Sequence, residues 1–352
     1  MEQSKIMKVL FVSGYAAWKK VSKYEMPSHH LFGFHELIDH YEDNGVSLRG
    51  ILKKEPLGGG YVDFYLWHDG KENIIKQCKE LLRLSRNYDI VYDVLNRCSV
   101  YLGIAKKLHL FKTSLVTVMH HPPYTLQLKL SDSDAYIFFD NEYRDIANRA
   151  NRKKTSLYYV NEWKPDINWY MSNSVREDRK TEKCFYIDNG KSRRDKDVLI
   201  SAANKAEIRV DYAADEDGAS GWARPYKMNL KNDIAQLKKL REYKAIIIPI
   251  RKENKEKIGP LGITSYLDAI ALGIPVIASD NVCFAKEIRR KNIGLLYETG
   301  NDISLKDQME CLYNNSELYE MMANNIRANE METIDNYSLR LSLVLSKIIN
   351  KQ

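Results

Sequence analysis

The sequence holds no cysteine pair at CxxC spacing: its five cysteines, Cys78, Cys98, Cys184, Cys283 and Cys311, are odd in number and scattered. This excludes a disulfide framework and a zinc knuckle and fits a reducing cytoplasm. No apolar run approaches 18 residues, so no membrane-spanning helix is expected. Only nine prolines and 17 glycines, beside 44% hydrophobic and 11% aromatic residues, exclude a collagenous, low-complexity or disordered chain, because there is ample apolar side chain to bury. Charge of one sign is also scarce. The 54 Lys and Arg against 47 Asp and Glu leave +7, with both signs interspersed. An anionic small ligand or the anionic face of a membrane is partner enough for that excess. Nucleic acid is not expected, since no basic stripe interleaved with aromatics is present. Residues 5–18 resemble a signal peptide in placing lysines before a short apolar run, but residues 9–12 are of strand length, end in Ser13-Gly14 and have no small-residue cleavage site behind them, so they read as a first buried strand.

At 352 residues the chain exceeds one ordinary core and suits two domains of roughly 150 to 200 residues. Short apolar strands alternate with amphipathic stretches: strand 9–12 then helix 35–44, strand 61–65 then helix 74–84, strand 89–92 then helix 100–108, and strands 114–119 and 135–139. Such alternation predicts βαβ units and a parallel sheet. Residues 158–170 carry aromatics without a clear period, and 172–183 are polar and charged, which places the linker there. A second series follows: strand 184–187, helix 197–206, strand 207–212, helix 234–241, strand 245–250, helix 264–272, strand 276–278, helix 285–291, strand 295–297, and helices through 307–327 and 337–349. The expected organisation is an α/β domain at 1–170, a linker at 171–183, a second α/β domain at 184–330 and a carboxy-terminal helix at 331–352.

The most informative segment is Gly262-Ile263-Thr264-Ser265-Tyr266-Leu267-Asp268-Ala269-Ile270-Ala271-Leu272-Gly273-Ile274-Pro275-Val276-Ile277-Ala278-Ser279. A glycine lets backbone approach a ligand, Thr264 and Ser265 suit a helix cap, and free N–H groups at a helix start attract an anion. Asp268 lies four residues beyond Thr264, about 6 Å along the same helix face. Gly273 suits a left-handed cap, and Pro275 blocks continuation of the helix. An ordinary capped helix with a solvated aspartate fits this pattern equally well. The cations beside the Asn189-Gly190 turn are Lys191, Arg193, Arg194 and Lys196, with Asp195 placed to orient Arg194 through a bidentate pair. A solvated basic turn is the plain alternative. No metal-ligand spacing competes, and Asp215-Glu216-Asp217 reads as a solvated loop.

The run from Gly262 to Ser279 resembles the carboxy-domain signature of retaining, nucleotide-sugar-dependent glycosyltransferases of the GT-B type, the glycosyl transferases group 1 or family 4-like proteins. The resemblance extends through Lys244-Ala245-Ile246-Ile247-Ile248-Pro249 and through residues 187–202, and covers about 130 residues, 184–313, in order. It implies two Rossmann-like domains facing a central cleft, with the carboxy-terminal helix packed back on the first. It implies transfer of a sugar from a UDP- or GDP-sugar to a saccharide or lipid-linked saccharide hydroxyl, with retention and without a metal or other cofactor. Bacterial surface polysaccharide or glycoconjugate synthesis in the cytoplasm, at the inner membrane face, is the setting so implied. By the same resemblance Asp268 holds the nucleotide ribose, while Gly262, Ile263, Thr264 and Ser265 hold the diphosphate or sugar. Lys191 and Arg194, then Lys196, clamp the leaving diphosphate, and Gly14 approaches the donor from the first domain. In members with two glutamates, Asp268 stands where the second falls, and the first falls at Pro260, which carries no carboxylate.

All eight histidines lie between residues 29 and 121. His120 and His121 follow a predicted strand and precede Pro122-Pro123, at the strand end where open α/β sheets bind ligands. The resemblance gives them a contact with the transferred sugar; a rigid structural turn is the other reading. By the same resemblance Ser28, His29 and His30 fall in a loop that meets the acceptor, while Lys19, Lys20 and Lys23 lie in a solvated or acceptor-steering loop. Trp163 and Trp169 suit either sugar stacking or packing. Residues 105–112 mix basic and apolar side chains, as an interfacial segment or a helix end with snorkelling lysines does. Two other functions share these features: a catalytically idle nucleotide-sugar-binding scaffold, and a nucleotide-sugar 2-epimerase, which needs acid and base carboxylates in the cleft.

Overall fold

The computed structural model describes residues 6–43, 47–68, 74–119, 128, 130–150, 156–173, 185–214, 220–227, 234–251, 260–328 and 333–350. The chain divides into two compact units: unit 1 comprises residues 1–164 with 332–352, and unit 2 comprises 165–331.

Unit 1 is built on eight strands: β1 (Met7–Ser13), β2 (Ile38–Asp43), β3 (Leu48–Leu52), β4 (Gly60–Leu66), β5 (Ile90–Asp93), β6 (Ser114–Val118), β7 (Ala135–Phe138) and β8 (Leu157–Val160). Their order is β2-β3-β4-β1-β5-β6-β7-β8, with β3 antiparallel to both its neighbours and the remaining pairs parallel. The strands β5, β6 and β7 are buried at every residue, which is why they read as continuous apolar runs. The expected helix at 35–44 is instead a four-residue helix, Phe34–Leu37, followed directly by β2. Leu37 and Ile38 look like one helical stripe in the sequence, but Ile38 begins an edge strand whose conformation is set by its ladder to β3. That partner has no counterpart in the sequence reading.

The helix Ile334–Ile349 belongs to unit 1, as expected for the carboxy-terminal helix. Thr333 caps it in a capping box with Asn336. Tyr337, Leu341, Leu345 and Ile348, at helical spacing, are buried. Asn161 donates to the Tyr337 carbonyl (2.9 Å) and Ser338 donates to the Gly33 carbonyl (2.8 Å). Gly33 has φ of +82°, and a Cβ there would come within 2.8 Å of the Tyr337 ring.

Unit 2 carries β9 (Tyr186–Asp188), β10 (Val210–Ala213), β11 (Ala223–Tyr226), β12 (Ala245–Ile248), β13 (Val276–Ser279) and β14 (Gly294–Tyr297). All pairs are parallel in the order β11-β10-β9-β12-β13-β14. This is the doubly wound arrangement, and the order reverses between β9 and β12. The expected strand at 207–212 starts later, at Val210, because Glu207 ends the preceding helix in the left-handed region with φ of +53°. The edge strand β11 was not anticipated; it contains Pro225, which an edge tolerates. Trp169 and Tyr170, which border the expected linker, lie on the helix Ile167–Ser172 of unit 2. Most of 171–183 lies outside the described residues.

Leu341→Ala should remove about 3 kcal/mol from the stability of unit 1, measured by urea unfolding, since a buried leucine leaves a cavity.

Candidate functional site

Open doubly wound sheets bind ligands beyond the carboxyl ends of their strands where the order reverses, which in unit 2 is the end of β9 beside β12. Strand β9 ends at Asp188, whose side chain is fully buried. Arg194 answers it: Nε donates to Asp188 Oδ1 at 2.9 Å, and Nη2 donates to the Ser265 hydroxyl at 2.8 Å. Burial pushes the Asp188 carboxyl above its ordinary pKa, and the charges of Arg194 and then Lys196 pull it back. The loop between is stitched to the end of β12. Arg194 bridges Ile250, Asp195 N donates to the Pro249 carbonyl at 2.7 Å, and Arg251 Nε donates to the Arg194 carbonyl at 2.9 Å. Gly190 is required there, because a Cβ would sit 1.9 Å from Arg194 Nη2.

The helix Ile263–Leu272 starts at Gly262, which has φ of +79° and leaves the helix start without a side-chain cap. A Cβ on Gly262 would meet the Ile248 side chain at 2.5 Å and Arg194 Nη1 at 3.5 Å. The expectation that Thr264 and Ser265 cap this helix is therefore corrected: Ser265 holds Arg194, and Thr264 is half-buried in the first turn. Ile263 is buried and its N–H donates to the Pro260 carbonyl at 3.2 Å. Gly273 ends the helix in the left-handed region, as expected, with Ile274 N donating to the Ala269 carbonyl.

Asp268 is buried, not solvated. Tyr170 OH donates to its Oδ1 (2.7 Å) and Asn189 Nδ2 to its Oδ2 (3.3 Å). Burial raises its pKa to about 7 against the opposing pull of these two donors. Asp188 Oδ2 and Asn189 Oδ1 are buried with no hydrogen-bond partner among the described residues. Asp195 does not orient Arg194; it caps the helix Lys196–Ala206 through Val198 N. Lys196 opens that helix with Nζ 5.9 Å from the centre of the Tyr212 ring, and Lys191 is half-buried.

Sequence reasoning thus found Arg194, Ser265 and Asp268 but missed Asp188, Asn189 and Tyr170 as their partners. A carboxylate closing a strand, six residues before an arginine, was the available signal for Asp188. Tyr170 has none, being 98 residues from Asp268.

In unit 1, Gly14 follows β1, beside β5, where the order of the parallel strands reverses. Ser28, His29 and His30 do not form an open loop; they lie in the buried 3-10 helix Ser28–Leu31. Ser28 donates to Glu36 Oε1, Trp163 Nε1 donates to the His29 carbonyl (2.9 Å), and His30 Nδ1 is 3.1 Å from Tyr15 OH. Burial lowers the His29 pKa to about 3 and holds His30 well below its usual value, so both are neutral at pH 7. Ser28 and His29 are interior groups rather than the acceptor contacts expected of them. Trp163 stacks on Phe32 (4.8 Å) and Phe139 (5.5 Å), and Trp169 packs on Tyr170, so both tryptophans are packing residues. His120, His121 and residues 215–217 lie outside the described residues. Among the described residues no group of three or more His, Cys, Asp or Glu could hold a metal ion, and no helix is long and apolar enough to cross a membrane.

Residues 228–329, all in unit 2, match the family model described as glycosyl transferases group 1. Over that segment the chain is similar to the family, and its fold is of the GT-B type. Among solved structures, a glycosyltransferase from Rickettsia africae has a TM-score of 0.66 at 12% identity, over 99% of this chain and 100% of that one. HepE from Anabaena in complex with UDP has a TM-score of 0.64 at 12% identity, over 97% and 100%. Sucrose-phosphate synthase from Thermosynechococcus elongatus has 0.63 at 10% identity, over 98% and 100%. At these identities the likeness is one of fold. No curated protein matches the sequence.

Asp188→Asn should destabilise unit 2 by about 3 to 5 kcal/mol in chemical unfolding, because it leaves a buried guanidinium without its counter-charge. Asp268→Asn should flatten part of the pH dependence of stability. The folded-state pKa of Asp268, about 7, lies above its ordinary 3.8, so its contribution is full below about pH 4 and is lost as the pH rises through 7. Relative to the variant, wild type should lose up to roughly 4 kcal/mol across that window, read from urea curves at successive pH values.

Proposed function

We propose that the protein is a glycosyltransferase that moves a sugar from a nucleoside diphosphate sugar to a hydroxyl of a saccharide or lipid-linked saccharide. One observation carries this reading: a buried arginine fixed against the uncapped start of the helix Ile263–Leu272 at the reversal of strand order. The first-turn N–H groups beyond Ile263, the positive end of the helix dipole, the Thr264 hydroxyl and the guanidinium together suit a diphosphate. They would also stabilise the negative charge that develops on that group as it leaves. Lys191 and Lys196 add positive charge beside it. The group 1 segment in the same unit supports the reading, and HepE, whose structures hold UDP and UDP-glucose, makes a UDP-sugar the first donor to try, ahead of a GDP-sugar.

In this reading the transfer retains anomeric configuration and needs no metal or other cofactor, with the diphosphate itself helping to deprotonate the attacking hydroxyl. By the family resemblance, His120 or His121 contacts the sugar and Gly14 the donor. Asp268 takes a different part from ribose binding. Buried between Tyr170 and Asn189, it fixes the Asn189 side chain next to Asp188 in the chain, the residue that holds the arginine. The setting is the cytoplasm at the inner face of a membrane, in polysaccharide or glycoconjugate synthesis; free thiols at Cys78, Cys98, Cys283 and Cys311 support a reducing compartment.

A second reading, an idle nucleotide-sugar-binding protein, is favoured by two features. Asp188 already neutralises Arg194, and Pro260 supplies no carboxylate.

A thermal-shift panel of UDP, GDP, ADP, dTDP and CMP with their sugar conjugates tests both. A ligand binding only the folded state at about 100 times its Kd adds roughly 2.7 kcal/mol. One nucleoside diphosphate should stabilise the protein, and Arg194→Ala and Ser265→Ala should each weaken its binding about tenfold, the usual scale for loss of a charge-assisted hydrogen bond, while Asp307→Ala should not. Release of the diphosphate from its sugar conjugate in the presence of acceptor supports the transferase; binding without release supports the idle protein; no shift with any nucleotide counts against the site.

A further inference from the structure

Between Asp93 and Asp132 the chain has no acidic residue, while Arg97, Lys106, Lys107, Lys112 and Lys129 fall within that stretch. It contains the helix Cys98–Lys107, which buries Cys98, Leu102 and Ala105 against unit 1 and turns Tyr101 and Ile104 outward, each 40% exposed. Leu108 and Leu110 follow at 62% and 60% exposure. Their presentation is built by the helix end. His109 adopts the left-handed region with φ of +59°, its N–H donates to the Lys106 carbonyl, and Leu110 N donates to the Ala105 carbonyl. This is the two-bond helix stop that glycine normally serves, held here by a residue with a Cβ at a cost of about 1 kcal/mol. The turn leaves both leucines outside and seats Phe111 inside.

Beside this apolar rim lies a cavity of about 880 Å³ at the amino ends of β5 to β8, lined by Arg86, Lys106, His109, Leu110, Lys112 and Asp134 among others. It is at the opposite end of the strands from Gly14, which follows the carboxyl end of β1. Its acids are satisfied within the protein. Asp134 takes Lys106 Nζ (2.5 Å) and Leu115 N (2.7 Å), and Asp89 takes Lys8 N (3.0 Å). Arg86, His109 and Lys112 are exposed and make no ion pair among the described residues. The cavity therefore has surplus positive charge next to exposed hydrocarbon.

We propose that this face of unit 1 docks on an anionic lipid bilayer, with Leu108 and Leu110 entering the headgroup boundary and the cavity taking an anionic headgroup between Arg86 and Lys112. Amphipathic surfaces of this composition bind membranes through buried apolar area plus attraction to anionic lipid. The inference places the membrane contact of the proposed function on particular residues, yet it stands on the surface alone. Binding to vesicles requires neither donor nor acceptor, so its failure and the failure of the transferase reading are separate results.

The test is co-sedimentation of the full chain with vesicles of phosphatidylcholine, alone or mixed with phosphatidylglycerol. The protein should pellet with the anionic vesicles and not with the neutral ones, and about 0.5 M salt should weaken binding by screening. Lys112→Gln and Arg86→Gln should each weaken it about fivefold, the scale for one basic residue at an anionic surface. Leu108→Ser and Leu110→Ser should weaken it at least as much with thermal midpoints unchanged, because these side chains are exposed. Absence of pelleting, equal pelleting with both vesicles, or wild-type binding by all four variants overturns the proposal. So does stabilisation by inorganic phosphate without vesicle binding, which makes the cavity a site for a free anion, or a dimer lost in Leu108→Ser, which makes the face a contact between copies.

Discussion

The carboxylate of Asp188 is fully buried at the end of β9, and its charge is tolerable only because the Arg194 guanidinium lies 2.9 Å away. A pair of this kind gains little net stability over apolar residues of the same shape, since both ions lose their water. What it contributes is position. The guanidinium cannot turn away without leaving Asp188 unpaired, and its remaining donors are thereby aimed at Ser265 and the start of the next helix. Gly190 and Gly262 are glycines for the same reason: a side chain at either would occupy the space of the arginine or of its β12 neighbour.

The adjacent residue repeats the device one turn along the helix. Asn189 reaches Asp268 as Arg194 reaches Ser265, so the end of β9 is fastened to the helix Ile263–Leu272 at two points. Nine of the ten residues of that helix are buried, which leaves it no solvated face and makes its polar positions answerable to internal partners. Ser265 and Asp268 have them. The anion-binding character proposed for the site is then a by-product of packing: an uncapped helix start and a fixed cation meet because the sheet order reverses there.

Unit 1 handles its polar interior differently. His29 and His30 are kept neutral by burial among Trp163, Tyr15 and Phe32 rather than charged and paired. The chain leaves unit 1 after Lys164 and returns to it with Ile334–Ile349, whose apolar stripe completes the core. The surplus charge of this unit is displaced to its outer helix and to the cavity at the amino ends of its strands.

The alternation of apolar strands and amphipathic helices, the two α/β units and the helix and strand of the Gly262 to Ser279 motif were legible in the sequence, because burial on both faces and helical spacing write themselves into neighbouring residues, whereas the return of the last helix to unit 1 was implied by the family resemblance alone. The edge strands β2 and β11, and β3 beside β2, were not, since a half-buried strand near a sheet edge has little pattern of its own and takes its conformation from its partners. In the site, the residue types at 194, 265 and 268 were readable, and their roles were not. Asp195 and Asp188 are equally good sequence partners for Arg194; only the register of β9 against β12 brings Asp188 to it and turns Asp195 into a cap. Likewise Asp268 looked solvated until Tyr170, far away in the chain, closed over it. The sequence by itself determined which segments become strands and helices and where a cation and a helix start would occur. Tertiary structure decided which carboxylate holds the cation and which lies buried, because ion pairing and desolvation depend on distances that chain spacing does not contain.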